Sequence, residues 1–215
     1  MLRLVTGTVA LAQHSPRSAH IIGRVPSVRL RLRNNQSLTN SQFANRIQRM
    51  IKGQDIVVLA KLMDKNAWEL TYAELGEAAR ISASEAHSAI RRLQDASLVN
   101  GEKRLMKRNV REFLFHALRY FFPLKYAGGV TKGMPTAYSA PIAQDMFSSS
   151  GLPPVWSGSD GKVLGRGVEP VYPTAPAAAD SSPALYNALA LIDMLRGGRI
   201  RERMFAEGKI EEMLS

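Results

Sequence analysis

The sequence predicts a mainly helical α+β protein, a winged helix-turn-helix domain followed by a Gly/Pro-rich C-terminal module with a short hairpin and two helices. Three observations predict it. Two helix-start signals, "TYAE" and "SASE", open consecutive short stretches with helical apolar periodicity. A polar turn, "NGEKR", follows the second stretch between short apolar pairs. From Pro123 to about Pro183, Gly, Pro, Ser and Ala break up any long helical pattern.

Helical periodicity begins at Gln54. "QDIVVLAKLMDKN" carries Ile56, Leu59, Ala60 and Met63 at the spacing of one helix face, which predicts a first amphipathic helix. Thr71 can cap a backbone N–H while Glu74 reaches back, so a second helix is expected from Tyr72 to about Arg80. Ser82 with Glu85 repeats the device and opens a third, to about Ser97. On its wheel Ala86, Ala89, Ile90, Leu93 and Ala96 fall on one side, and Ser84, His87, Ser88, Arg91 and Asp95 on the other. One face packs and the other is free. Asn100-Gly101 favours a tight turn between short antiparallel strands, a wing over residues 98–108.

"NVREFLFHALRYFFP" reads as a helix capped by Asn109, with Glu112 three residues on and Pro123 as its stop. Val110, Phe113, Leu114, Phe115, Ala117, Leu118, Tyr120, Phe121 and Phe122 cover most of its circumference, so it is expected to be buried between layers. "PVWSGSDGKVLGRGVEPVYP" reads as a small hairpin or extended pair turning at Gly158-Ser159-Asp160-Gly161. Ser182 as cap and Pro183 at the first position start another helix, with Leu185, Ala188, Leu189, Ile192 and Leu195 along one face. Gly197-Gly198 ends it, and "RIRERMFAEGKIEEML" closes the chain as a charged helix.

A chain of 215 residues holds one sizeable domain or two small ones. The absence of cysteine removes disulfides, thiolate zinc sites and cysteine nucleophiles, and makes a reducing, bacterial-type cytoplasm the expected location. No apolar run approaches the roughly 18 residues of a membrane span, so no membrane partner is expected. The net charge of +11 is unevenly placed. Residues 1–54 hold nine Lys/Arg and no acid, residues 55–122 eleven against nine, and residues 123–215 nine against nine. The expected division is a basic extension over 1–49, a DNA-binding domain over 50–122 and a partner or dimerisation module over 123–215. The extension reads first as disorder, because so polar a segment cannot offset its ordering entropy. It also fits a basic arm on nucleic acid, a targeting peptide, or a translation start placed too early, with Met50 as the alternative.

The stretch "ISASEAHSAIRRL" crowds Ser84, Glu85 and His87, but proximity is not a triad: Glu85 has its own task in the cap and no group orients His87. His14, His20, His87 and His116 are too scattered for a metal ligand set. "GSDGKVLGRG" has the glycines and lysine of a phosphate loop, yet Val163 follows Lys162 and an extended segment follows both. Asp193, Glu202, Glu207, Glu211 and Glu212 read as solvated faces paired with Arg and Lys. No enzyme activity, cofactor or metal is expected.

DNA reading is different because several features agree. Ser82, Ser84, His87, Ser88 and Arg91 occupy the positions of a recognition helix that reach base edges in the major groove, Arg91 being suited to guanine. Thr71, Arg92, Lys103, Arg104, Lys107 and Arg108 are expected on the phosphate backbone. A different reading stays open: an antitoxin-like or adaptor protein that holds a co-encoded partner through residues 123–215, with DNA binding secondary.

"TYAELGEAARISASEAHSAIRRLQDASLV" resembles the winged-helix segment of bacterial MarR-type transcriptional regulators, with Leu75, Ile81-Ser82, Ala86, Ala89-Ile90, Leu93 and Leu98-Val99 at the pattern's positions. The likeness covers roughly residues 54–108. It implies a bacterial regulator that binds double-stranded DNA as a homodimer. Members of that family end in long dimerisation helices, and the Gly/Pro-rich module here departs from that pattern.

Overall fold

The computed structural model describes residues 50–147, 151–157 and 161–215. The readings made for residues 1–49, and for the turn at Gly158-Ser159-Asp160, lie outside them.

Helices α1 (Gly53–Leu62), α2 (Tyr72–Ala79) and α3 (Ala83–Asp95) form the first layer. Both capping boxes form: Thr71 Oγ1 accepts from the Glu74 N–H, and the Glu74 carboxylate accepts from the Thr71 N–H at 2.7 Å. The turn between α2 and α3 is tight because Arg80 adopts the left-handed conformation (φ 54°) and the Ile81 N–H donates to the Gly76 carbonyl at 2.9 Å. Glycine is required at position 76, since a Cβ there would stand 2.8 Å from the Ile81 oxygen.

α1 is not the amphipathic helix expected. Residues 54 to 60 are all buried, because α3 packs on one side of α1 and a C-terminal helix on another. Of the two polar residues in that buried run, Gln54 and Asp55, the charged one is partnered by Arg92 of α3.

The wing is a single antiparallel bridge, Val99 to Leu105. Its turn differs from the two-residue Asn-Gly form expected: the left-handed residue is Lys103 (φ 63°), not Gly101. Asn100 shapes it, its Oδ1 accepting from the N–H groups of Glu102 (3.0 Å) and Arg104 (2.9 Å).

α4 consists of Lys107–Glu112, a π-helical stretch Phe113–Ala117, and Leu118–Phe121. It starts before Asn109, whose side chain donates to the Ser97 carbonyl at 2.8 Å instead of capping. Val110, Leu114 and Leu118, four residues apart, form the buried stripe. The expectation that most of the circumference is buried fails at the far end, where Tyr120 and Phe121 are 76% and 65% exposed. One covering layer can accept one stripe, and Tyr120 is met only by the guanidinium of Arg119, 5.4 Å from its ring centre, among the described residues.

The sheet holds β1 (Tyr126–Pro135), β2 (Pro154–Trp156) and β3 (Val163–Val168). The hairpin expected over 154–173 is corrected: β2 and β3 form an extended pair but run parallel, and each pairs antiparallel with β1. β1, "YAGGVTKGMP", escaped the sequence because its glycines hide the alternation of a strand. Gly161 allows the close approach to β1, since its Cβ would lie 2.0 Å from the Gly133 carbonyl carbon.

Helices α5 (Ala175–Asp180), α6 (Pro183–Gly197) and α7 (Ile200–Leu214) complete the described chain, α5 being additional to the two helices expected. Ser182 caps α6 as predicted, accepting from the Leu185 N–H at 3.3 Å. Asp193, read as part of a solvated face, is 1% exposed. Its carboxylate accepts from Thr136 Oγ1 and Trp156 Nε1, each at 2.7 Å, and from Arg196, whose Nε also donates to the Phe122 carbonyl at 2.8 Å. The Tyr186 hydroxyl donates to the Pro135 carbonyl at 2.7 Å, and burial pushes this phenol up to about 12. α6 thus ties the sheet to the end of α4 while packing on α1, α5 and α7. A single cluster of buried apolar side chains runs from Ile56 to Leu214, shared by residues 50–122 and 123–215. No helix among the described residues is long and apolar enough to cross a membrane.

Candidate nucleic-acid interface

α3 positions the predicted readers. Ala86, Ala89, Ile90 and Leu93 are fully buried and fix its rotation against α1 and α2. That rotation leaves Ser84, His87 and Arg91 exposed and Ser88 half-buried. Ala96, assigned by its wheel position to the packed side, is exposed beyond the last turn.

The caps withdraw two candidates from direct contact. Ser82 Oγ accepts from the Glu85 N–H at 3.2 Å and donates to the Glu85 carboxylate at 2.9 Å, so its hydroxyl is occupied. Thr71 is engaged in the same way with Glu74, donating at 2.8 Å. These bonds hold both carboxyl groups below the ordinary glutamate range, the backbone N–H of Thr71 or Ser82 being the largest cause and its hydroxyl the next.

Arg92, expected on the backbone of DNA, is buried in the core instead. Its Nε donates to Asp55 Oδ2 at 2.7 Å and its Nη2 to Asp55 Oδ1. A position one residue from exposed Arg91 lies about 100° around the helix, enough to turn the side chain from solvent to α1.

The wing folds back on the domain. Lys103 Nζ donates to the Leu70 carbonyl and stands 5.4 Å from the centre of the Tyr72 ring. Arg104 lies over the Trp68 ring at 3.6 Å and reaches the Glu102 carboxylate at 3.4 Å. Tyr72 in turn meets His87 edge-on, ring centres 4.8 Å apart. The start of α2, the exposed face of α3 and the wing therefore form one continuous surface. Sequence reasoning missed Trp68 and Tyr72. Tyr72 had a signal, an aromatic at the first exposed position after the Thr71 cap, whereas Trp68 had none.

α7 takes up two more cations. Lys107 Nζ donates to the Ser215 oxygen at 2.8 Å, and Arg111 Nε to the Glu211 carboxylate at 2.6 Å. Arg80, Arg91 and Arg108 are exposed and have no hydrogen-bond or ion-pair partner among the described residues. Ser84, His87, Ser88, Arg91, Tyr72, Arg80 and Arg108 are thus the groups free to meet a ligand, with Lys103 and Arg104 held close to Tyr72 and Trp68. Among the described residues no group of three or more His, Asp or Glu could hold a metal ion. No protein-family model, curated protein or solved structure matches the chain.

Proposed function

We propose that this chain is a DNA-binding transcriptional regulator of the winged-helix type, with α3 in the major groove and the wing on the phosphate backbone. The carrying observation is α3 itself: a capped helix locked by four buried residues, with Ser84, His87 and unpartnered Arg91 along its open side. Arg91 offers a bidentate fork for guanine, and His87, Ser84 and Ser88 supply short polar groups beside it. Arg108, Arg104 and Lys103 meet phosphates, while Ser82, Thr71 and Arg92 set the geometry without touching DNA. The resemblance of residues 54–108 to MarR-type regulators supports the reading. The reading includes self-association into a homodimer, for which the exposed rings of Tyr120 and Phe121 offer apolar surface.

Fluorescence anisotropy on the duplex upstream of the protein's own gene and on unrelated duplexes, across a salt series, tests it. Arg91→Ala should relax sequence preference at a cost of about 1–3 kcal/mol. Arg108→Ala should weaken every duplex alike and flatten the salt slope by about one. If neither change alters binding, this face is not the interface.

A further inference from the structure

We infer that the outward face of the β1–β3 pair is a second surface for the phosphate backbone of duplex DNA, carried by Lys132, Lys162 and Arg166. The inference rests on the proposed reading of the chain as a DNA-binding protein and adds a contact that α3 and the wing do not make.

Register builds this face. Val130 pairs with Arg166 and Lys132 with Leu164, so these four side chains point to one side of the sheet. All four are exposed, Val130 and Leu164 by 55% and 54%. The residues between them, Thr131 and Gly165, turn the other way, and Gly165 is buried against the Pro153 carbonyl. Lys162, immediately before β3, is exposed as well.

Among the described residues the charge on this face has no acidic partner. Neither "YAGGVTKGMP" nor "VLGRGV" contains a carboxylate, and Lys132, Lys162 and Arg166 make no ion pair among the described residues. Lys125 differs, since the Glu169 backbone N–H donates to its carbonyl and brings an acid close. Arg166 is also shaped for its task. Its guanidinium carbon lies 3.7 Å from the centre of the Tyr126 ring, a cation–π contact that holds it beside the ring, and its donors have no hydrogen-bond partner among the described residues. A flat fork with free donors matches a phosphate, which a flexible ammonium meets only as a point charge. Cations held together without an acid repel one another until a polyanion arrives. An anionic membrane carries the same charge, but Val130, Leu164 and Tyr126 are too few and too short to anchor in a bilayer.

The experiment uses the full chain and three variants: Lys132→Ala/Lys162→Ala/Arg166→Ala, the single Arg166→Lys, and a control, Lys65→Ala/Arg201→Ala, that removes exposed cations elsewhere. All changed side chains are on the surface, and unchanged unfolding midpoints confirm intact folds. For the triple variant the slope of log K against log salt on duplex DNA should fall by about 2–3, with the ratio between preferred and unrelated duplexes preserved. Arg166→Lys should keep the slope and lose a few-fold in affinity, and the control should match wild type. A slope unchanged in the triple variant, or lowered equally in the control, overturns this inference and leaves the α3 reading standing. Wild-type protein that binds no duplex overturns both. Binding to phosphatidylserine vesicles that the triple variant loses, with its duplex slope unchanged, assigns the face to membrane and overturns the inference too.

Discussion

Replacing Arg92 by alanine separates its role in the core from the one its sequence position suggests. Asp55 is 0% exposed, Arg92 8%, and the carboxylate accepts three hydrogen bonds: from the Lys52 N–H at 2.8 Å, from Arg92 Nε at 2.7 Å, and from Arg92 Nη2. Arg92→Ala removes two of the three and the ion-pair partner, leaving a buried carboxylate held by the Lys52 N–H. Stranding a buried charge in this way costs about 3–5 kcal/mol. For a chain of this size that corresponds to a melting temperature lower by about 6–20 °C. Urea unfolding followed by circular dichroism measures the loss. The double change Asp55→Leu/Arg92→Met should recover most of it, because an apolar pair of similar volume avoids the desolvation of both charges. The Lys52 N–H then loses its acceptor, at a cost of about 0.5–2 kcal/mol, so recovery stays incomplete. Duplex affinity of the folded protein should be unaffected. A loss below about 1 kcal/mol, with a salt slope flattened by about one, would place Arg92 on phosphate and refute the reasoning.

Two further outcomes follow from the helix-turn-helix. Gly76→Ala should lower stability by about 1–3 kcal/mol despite alanine's better helix propensity, because the added Cβ meets the backbone of the turn to α3; an unchanged or raised unfolding midpoint would show that the turn can yield. Glu74 and Glu85 have carboxyl groups held below their ordinary value of 4.5, so their contribution is complete above that value and disappears as pH falls through the lowered one. Glu74→Gln/Glu85→Gln keeps acceptors for the caps without a titrating group, and its urea midpoint should fall less than wild type between about pH 5 and about pH 3. Parallel curves for the two proteins would sink this account.

The legible part of the fold is the part written in local chemistry. Thr71 with Glu74, Ser82 with Glu85, and Ser182 before Pro183 each name a helix start from a few adjacent residues, and each forms its cap. The wheel of α3 was legible for the same reason, since a single face of Ala86, Ala89, Ile90 and Leu93 admits one packing direction. What escaped was decided by distant partners. α1 and α6 look one-sided in sequence, yet both are surrounded, and the buried Asp55 and Asp193 are met there by Arg92, Thr136 and Trp156 from elsewhere in the chain. β1 escaped because seven of its ten residues are Gly, Pro, Thr, Ala or Lys in no alternating order, and its strand character comes from pairing with β2 and β3.

The same distinction governs the charge of the candidate interface. Between residues 91 and 111 the sequence holds seven basic side chains, which invites a reading as one positive patch. The structure distributes them among several tasks. Arg92 neutralises Asp55, Lys107 and Arg111 attach the end of α7, and Lys103 and Arg104 bind the wing to Leu70 and Trp68. Arg91 and Arg108 alone among the seven have no partner among the described residues. A duplex contact built on so few free cations has a shallow salt dependence, because each neutralised phosphate contributes only about 0.9 to the slope. Sequence preference and affinity then come from different surfaces. On the proposed reading Arg91 and His87 discriminate bases, while much of the long-range attraction that holds the protein near DNA comes from cations outside the helix-turn-helix. The face of Lys132, Lys162 and Arg166 would supply part of it, with side chains that make no ion pair among the described residues. The share of the full chain's slope that Lys132→Ala/Lys162→Ala/Arg166→Ala removes is therefore the share of this face, and a triple variant with the wild-type slope removes the need for it.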